Sequence, residues 1–272
     1  MREGGRAPRR RPVAEAVAEA GQTSTTTARL AELSRHASAS VRMAVADNPG
    51  CDDATVLELV RDDKQLVRMS AAVIAAGRPG VETAVAASED AAVRQVLAHA
   101  YVRRAEQLLR ATQEILARDE DREVRARIAE TTAHRDLFDQ LLEDPDPRVR
   151  GMCAANPRAT RTDMDCLLGD RQAAARGIAV NVGIAFPDQE QLLRAARDRS
   201  TGVRWAALFR HGASREVALA LVDDPDELIR DHARASAQER GAVWAPRGEA
   251  KAVAEDARLI AAGMTFDASV DR

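Results

Sequence analysis

The chain has 272 residues, 45% of them hydrophobic, which is enough to bury a sizeable core in one continuous body. Only 3% of residues are aromatic and the apolar content is mainly Ala, Val and Leu, a composition suited to closely packed helices rather than a sheet sandwich. A formal charge of −3 argues against a polyanion-binding field over the whole protein, although a local basic patch is compatible with it.

Residues 1–23 read as a disordered basic arm. Arg2, Arg6, Arg9, Arg10 and Arg11 stand among Gly and Pro, with too little apolar area to offset the entropy of ordering. Pro12 to Ala20 can add one or two amphipathic helical turns before the polar run Thr23 to Thr27. The arginines permit a nucleic-acid or acidic-partner tether, but a solvated tail is the simpler reading.

From residue 24 to 236 a beat governs the chain. Arg42, Arg68, Arg94, Arg125, Arg150, Arg176, Arg204 and Arg230 recur at steps of 26, 26, 31, 25, 26, 28 and 26 residues. Each follows Val, Ile229 or, once, Ala175. Six residues before the arginines stand Asp62, Asp119, Asp144, Asp170, Asp198 and Asp224, with His36 and Ser88 as exceptions. A period in this range marks stacked supersecondary units. Each unit reads as two helices. In the first, Leu30 and Leu33 begin one helix, Ser38 to Asp47 carries the second, and Asn48-Pro49-Gly50 stops it. In the second, Asp52 is a candidate N-cap and Gly77-Arg78-Pro79-Gly80 closes the unit. The fifth unit repeats the Asn-Pro stop at Asn156-Pro157, and Ser214 enters the eighth. The 31-residue step from Arg94 to Arg125 requires extra length, either in the third unit's second helix, extended through Tyr101, or in the fourth unit's first helix. Residues 237–272 read as a capping helix, Glu249 to Ala262, and a tail that covers the last apolar face.

In each second helix the apolar positions form a broad stripe of period 3.6, as a helix packed on its partner and two neighbours requires. The acidic residue falls at the start of that helix, where its carboxylate can accept from backbone N–H groups. The arginine can reach the acidic residue of a neighbouring unit, so the pattern predicts a structural ladder built from Asp62, Arg68, Asp119, Arg125, Asp144, Arg150, Asp170, Arg176, Asp198, Arg204, Asp224 and Arg230. A phosphate-binding strip is disfavoured because most of these arginines bring a carboxylate.

The Asp-x4-Val-Arg pattern resembles the HEAT repeat, and residues 41–49 and 149–157 resemble the bacterial variant leucine-rich repeat. The resemblance covers about residues 28–236 and implies an all-α fold, a right-handed αα superhelix of about eight two-helix units. It also implies an interaction scaffold whose positions one and five after each arginine line the concave surface. In that series Met43, Asp47, Met69, Val73, Gln95, His99, Asn181, Trp205 and Phe209 are the candidate partner-binding residues. Trp205 and Phe209, one turn apart, are expected to form an aromatic platform, and Met43, Met69 and Val73 a second apolar patch.

Catalysis has little support. His36, His99, His134, His211 and His232 are scattered, and Cys51, Cys153 and Cys166 lack zinc or iron–sulfur spacing, so no cofactor or metal is expected. The expectation is a non-enzymatic protein- or peptide-binding scaffold. The alternative is a DNA-binding or DNA-glycosylase-like repeat protein that uses Arg204 and Trp205 in a basic groove. No apolar run reaches the ~18 residues of a membrane span, and the first eleven residues lack a secretory apolar region, so the protein is expected to be cytoplasmic.

Overall fold

The computed structural model describes residues 13–104 and 108–239. Seventeen α-helices and no strand occur among the described residues. They belong to two compact units, which divide between Ile128 and Ala129.

In the first unit, α1 (Val13–Ala20) is followed by the pairs α2 (Thr27–Leu33) and α3 (Ala39–Ala46), α4 (Asp53–Leu59) and α5 (Gln65–Ala75), and α6 (Pro79–Ala86) and α7 (Ala91–Arg104). Then come α8 (Arg110–Leu116) and α9 (Arg122–Thr131), the latter crossing the division. The second helices α1, α3, α5 and α7 pack in succession, as do the first helices α4, α6 and α8, giving two helical layers. The second unit has the same construction. It pairs α10 (Arg135–Leu142) with α11 (Pro147–Met152), α12 (Arg161–Leu168) with α13 (Ala173–Val182), α14 (Gln189–Ala195) with α15 (Thr201–Phe209), and α16 (Arg215–Leu219) with α17 (Glu227–Glu239). Here α11, α13, α15 and α17 form one layer and α12, α14 and α16 the other. Between the layers lie fully buried side chains: Leu30, Leu59, Ile74, Leu97 and Leu116 in the first unit, and Leu141, Met164, Leu167, Leu192, Leu208 and Leu221 in the second.

The all-α repeat fold expected from the periodicity is therefore present in both units. Three local features differ from expectation or resolve it. Residues 13–20 belong to the array, because Ala16 and Ala20 are buried against α3 and Arg29 pairs with Glu19 at 2.9 Å. The array thus begins before residue 24; residues 1–12 of the expected arm lie outside the described residues. The extra length of the long step resides in α7, a fourteen-residue helix, whereas α8 has only seven residues. The expected capping helix at 249–262 lies outside the described residues.

First and second helices begin differently. Side chains cap five first helices: Thr26 accepts from the Arg29 N–H, Asp52 from Thr55 and Ser214 from Val217, while Thr160 and Asp188 form reciprocal capping boxes with Asp163 and Gln191. Helices α6, α8 and α10 have no such bond, and among second helices α11 is capped by Asp146. In second helices α3, α5, α13 and α15 the N-cap residues Ser38, Lys64, Gln172 and Ser200 make no side-chain cap bond. Their turns are held from outside.

The beat residues do this. All eight arginines donate through Nη1 to the carbonyl of the residue six before, at 2.7–3.0 Å, whether that residue is Asp, His36 or Ser88. Through Nε, Arg42 reaches Asp62, Arg68 reaches Asp90 and Arg94 reaches Asp119 in the first unit, at 2.5–2.8 Å. In the second unit Arg150 reaches Asp170, Arg176 reaches Asp198 and Arg204 reaches Asp224, at 2.6–2.7 Å. Oδ1 of each aspartate also accepts the N–H of the residue two later, for example Lys64, Gln172 and Ser200, at 2.7–2.8 Å. Except at Asp90, which directly precedes α7 and accepts the Ala92 N–H, the carboxylate therefore closes the turn ahead of the helix and does not cap the first helical turn. Where Ser88 replaces the expected acid, Asp90 takes the partner role, two residues further on.

A second device joins neighbouring pairs. Asn48 is buried and its Nδ2 donates to the carbonyls of Ala20 and Gln22, at 2.7 and 2.9 Å. Asn156 does the same to Ala129 and Thr132, both at 2.9 Å. The Asn of the Asn-Pro stop thus supplies donors to helix-end carbonyls that would otherwise be buried unpaired. Arg210, six residues after Arg204, occupies the equivalent place and donates to the carbonyls of Asn181 and Gly183. Burial holds its guanidinium below the usual range.

Helices α11 and α13 approach closely at Gly151, where no side chain fits. A Cβ there would lie 2.8 Å from Ile178 Cβ and 2.9 Å from the Ala175 carbonyl oxygen. At Gly177 a Cβ would meet only Val203 Cγ2, at 3.8 Å. Gly151→Ala should therefore lower stability by about 1–3 kcal/mol through overpacking. Gly177→Ala should raise it by roughly 0.5–1 kcal/mol through helix propensity; urea denaturation of the two variants checks both signs.

Acid should dissolve the carboxylate contacts in a defined direction. Bonds from Arg68 and Arg204 hold Asp90 and Asp224 below the usual carboxylate range, and the paired bonds from Arg135 at 2.6 and 2.8 Å pull Asp163 down to about 2. A carboxylate depressed in the folded state adds stability above its unfolded pKa of about 3.9 and loses it as pH falls through the folded value. The urea midpoint should accordingly fall between about pH 4 and pH 2, and Asp163→Asn should show a smaller fall over that window.

Candidate partner-binding surface

Helix α15 is enclosed on most sides. Val203, Ala206, Ala207 and Leu208 are buried, and Arg204 is committed to the Asp198 carbonyl and to Asp224. At 100° per residue these positions leave one narrow outward stripe. Trp205 and Phe209 occupy it, 37% and 49% exposed, with ring centroids 4.4 Å apart and planes tilted by 36°.

The next second helix completes the group. His232 of α17 lies with its ring centroid 5.3 Å from both Trp205 and Phe209, edge-on to each at 68° and 65°. Its Nδ1 is 2.8 Å from the Leu228 carbonyl oxygen. Since a carbonyl only accepts, Nδ1 carries a proton in this arrangement. Leu228, one turn earlier on the same helix, is 63% exposed. The result is an exposed cluster of three aromatic rings from two helices, with an aliphatic residue on the second.

The candidate residues divide accordingly. The structure brings Trp205 and Phe209 together as expected, and Asn181 is exposed on α13. In the first unit Asp47 is exposed, whereas Met43, Met69, Val73, Gln95 and His99 are half-buried. Gln95 Nε2 donates to Asp121 Oδ2 at 3.0 Å. Met43, Met69 and Val73 do not stand out as an apolar patch; the large hydrophobics exposed in that unit are Val13, Leu66 and Ile115. Met43 and Met69 share the place one after the arginine with Trp205, so register alone does not fix exposure. His232 was not singled out by the register. The signal was its place two after Arg230, where the other repeats have Ala44, Ser70, Val96, Arg127, Met152, Ile178 and Ala206, so that only here does the position carry a ring.

Among the described residues no group of three or more His, Cys, Asp or Glu side chains could hold a metal. Burial pushes the Cys51 thiol up to about 11 and the Cys153 thiol higher still, so neither is a ready nucleophile. No described helix is long and apolar enough to cross a membrane.

No protein-family model matches the chain. No curated protein matches it either. Among solved structures it is similar to one described as a leucine-rich repeat variant with a novel repetitive protein structural motif. That likeness has 23% identity and a TM-score of 0.49, and it covers 75% of this chain and 79% of the other.

Proposed function

We propose that the protein is a non-enzymatic binding scaffold that holds a protein or peptide partner on the outward side of its second helices, centred on Trp205 and Phe209. The observation that carries this reading is the aromatic cluster itself. Two large rings are 37% and 49% exposed in a chain with only 3% aromatic residues, although the helix that carries them buries most of its other side chains. Exposed aromatic groups on a rigid helical frame lose little conformational entropy on contact and bury much apolar area, which makes them effective interface anchors.

The alternative, a DNA-binding or DNA-glycosylase-like protein, needs accessible arginines beside Trp205. Arg204 instead gives Nε and Nη2 to Asp224 at 2.7 and 2.9 Å and Nη1 to a backbone carbonyl, which counts against that reading. A nucleic-acid contact through the arginines of residues 2–11 concerns a segment outside the described residues.

Affinity purification with the full chain beside a Trp205→Ala, Phe209→Ala variant tests the proposal. A partner retained by the parent should be lost, with affinity reduced by 100-fold or more, about 3 kcal/mol over the two anchors. Because both side chains are partly exposed, thermal unfolding of the variant should change little. Retention of every partner at undiminished yield would defeat the proposal.

A further inference from the structure

Resting on that partner-binding reading, we propose that the segment received at the Trp205, Phe209 and His232 cluster is a cationic peptide of a partner protein, one that places an arginine or lysine side chain against the rings.

The face of an aromatic ring is electron-rich and attracts a cation, most strongly for an indole. The charges around the cluster favour the same ligand. On α17 the buried positions Ile229 and Ala233 define the inward side, and the outward side carries Glu227, Leu228, Asp231 and His232. Glu227 and Asp231 are exposed and form no ion pair among the described residues. Nearby basic groups are already engaged. Arg204 is bound to Asp224, Arg230 donates to the Asp224 carbonyl, Arg234 donates to the Val222 carbonyl, and Arg210 donates to the carbonyls of Asn181 and Gly183. The carbonyl bonds leave the guanidinium charges in place, but Arg204 is neutralised by Asp224 and Arg234 lies 3.6 Å from Asp223, so Asp226, Glu227 and Asp231 outnumber the remaining cations Arg210 and Arg230 and the group is net negative. A nucleic acid or acidic peptide would bring like charge against Asp231 and Glu227, whereas a basic side chain gains both the ring faces and two carboxylates. On α15 itself Gly202, one turn before Trp205, presents no side chain beside it.

The test is fluorescence anisotropy with the full chain and a labelled nonapeptide of alternating glycine and arginine, set against the same peptide with citrulline, a neutral isostere, at each arginine. The arginine peptide should bind at least tenfold more tightly at low salt. Trp205→Ala should weaken it about tenfold and the Glu227→Gln, Asp231→Asn double variant about three- to tenfold, with circular-dichroism melts confirming that each variant is folded. Equal affinity for the two peptides, no binding of either, or binding of the arginine peptide unaffected by these substitutions would overturn the proposal. If Trp205→Ala, Phe209→Ala abolishes partner capture while the two peptides bind alike, the partner-binding reading survives and only the cationic assignment fails. Two other occupants have their own signatures. Tighter peptide binding after Arg2, Arg6, Arg9, Arg10 and Arg11 are changed to Gln would make the chain's own first residues the occupant and overturn the partner assignment. A dimer in sedimentation that Trp205→Ala disperses would make it a second copy, with the same consequence.

Discussion

A guanidinium lodged between two successive inter-helix turns is the interaction on which the rest of the structure depends. One nitrogen of each beat arginine satisfies a carbonyl of its own turn, and in six described rungs the others grip the aspartate that closes the next turn. Desolvating two charges is expensive, and the cost is recovered only when nearly every donor and acceptor is satisfied. The planar fork of arginine meets that condition, with two parallel bonds to one carboxylate and a third in its plane; a lysine ammonium cannot. The same aspartate oxygen holds a backbone N–H, so breaking a rung leaves several buried polar groups unpaired at once. Such a contact adds little net stability against an apolar replacement, but it specifies the register of each helix pair on its neighbour.

That register decides where function can reside. With rung residues and the apolar stripe committed inward, a second helix in the middle of a unit retains a strip only about two side chains wide. Other repeats place small or half-buried residues there, including Gly177 and Met43. On α15 the strip holds an indole and a phenyl ring, and α17 contributes an imidazole against both. Packing gives no reason for these rings, because the helix is already enclosed by its buried positions. Their chemistry and the neighbouring carboxylates are the features that distinguish this repeat from the others.

Much of the architecture was legible from residue types at their spacing. The helix pairs, the cap at Asp52, the entry to the last pair at Ser214, and the reach of arginine to a neighbouring aspartate all follow from local rules of helix geometry and hydrogen bonding. Asp90 was not legible as a partner, because it stands two residues off the beat; only the observed bond from Arg68 reveals that the turn tolerates the displacement. Asn48 and Asn156 were legible as helix stops but not as clips, since their acceptors lie 24 to 28 residues earlier in the chain. The half-burial of Met43, Met69 and Val73 was not legible for a related reason: angle on a helix predicts direction, but exposure depends on how closely the next helix approaches.

The sequence by itself determined the periodic parts of this protein: two helices per unit, which face of each is apolar, and which charged residues stand at the turns. These are short-range properties, set by a 3.6-residue repeat and by groups within about two turns of one another. Only the tertiary structure decided that α1 joins the array, that the long step is one extended helix, and that His232 meets Trp205 and Phe209. Each of those outcomes depends on distances between segments far apart in sequence, and such distances are set by the packing of helix on helix, where a single Cβ at Gly151 is already too much.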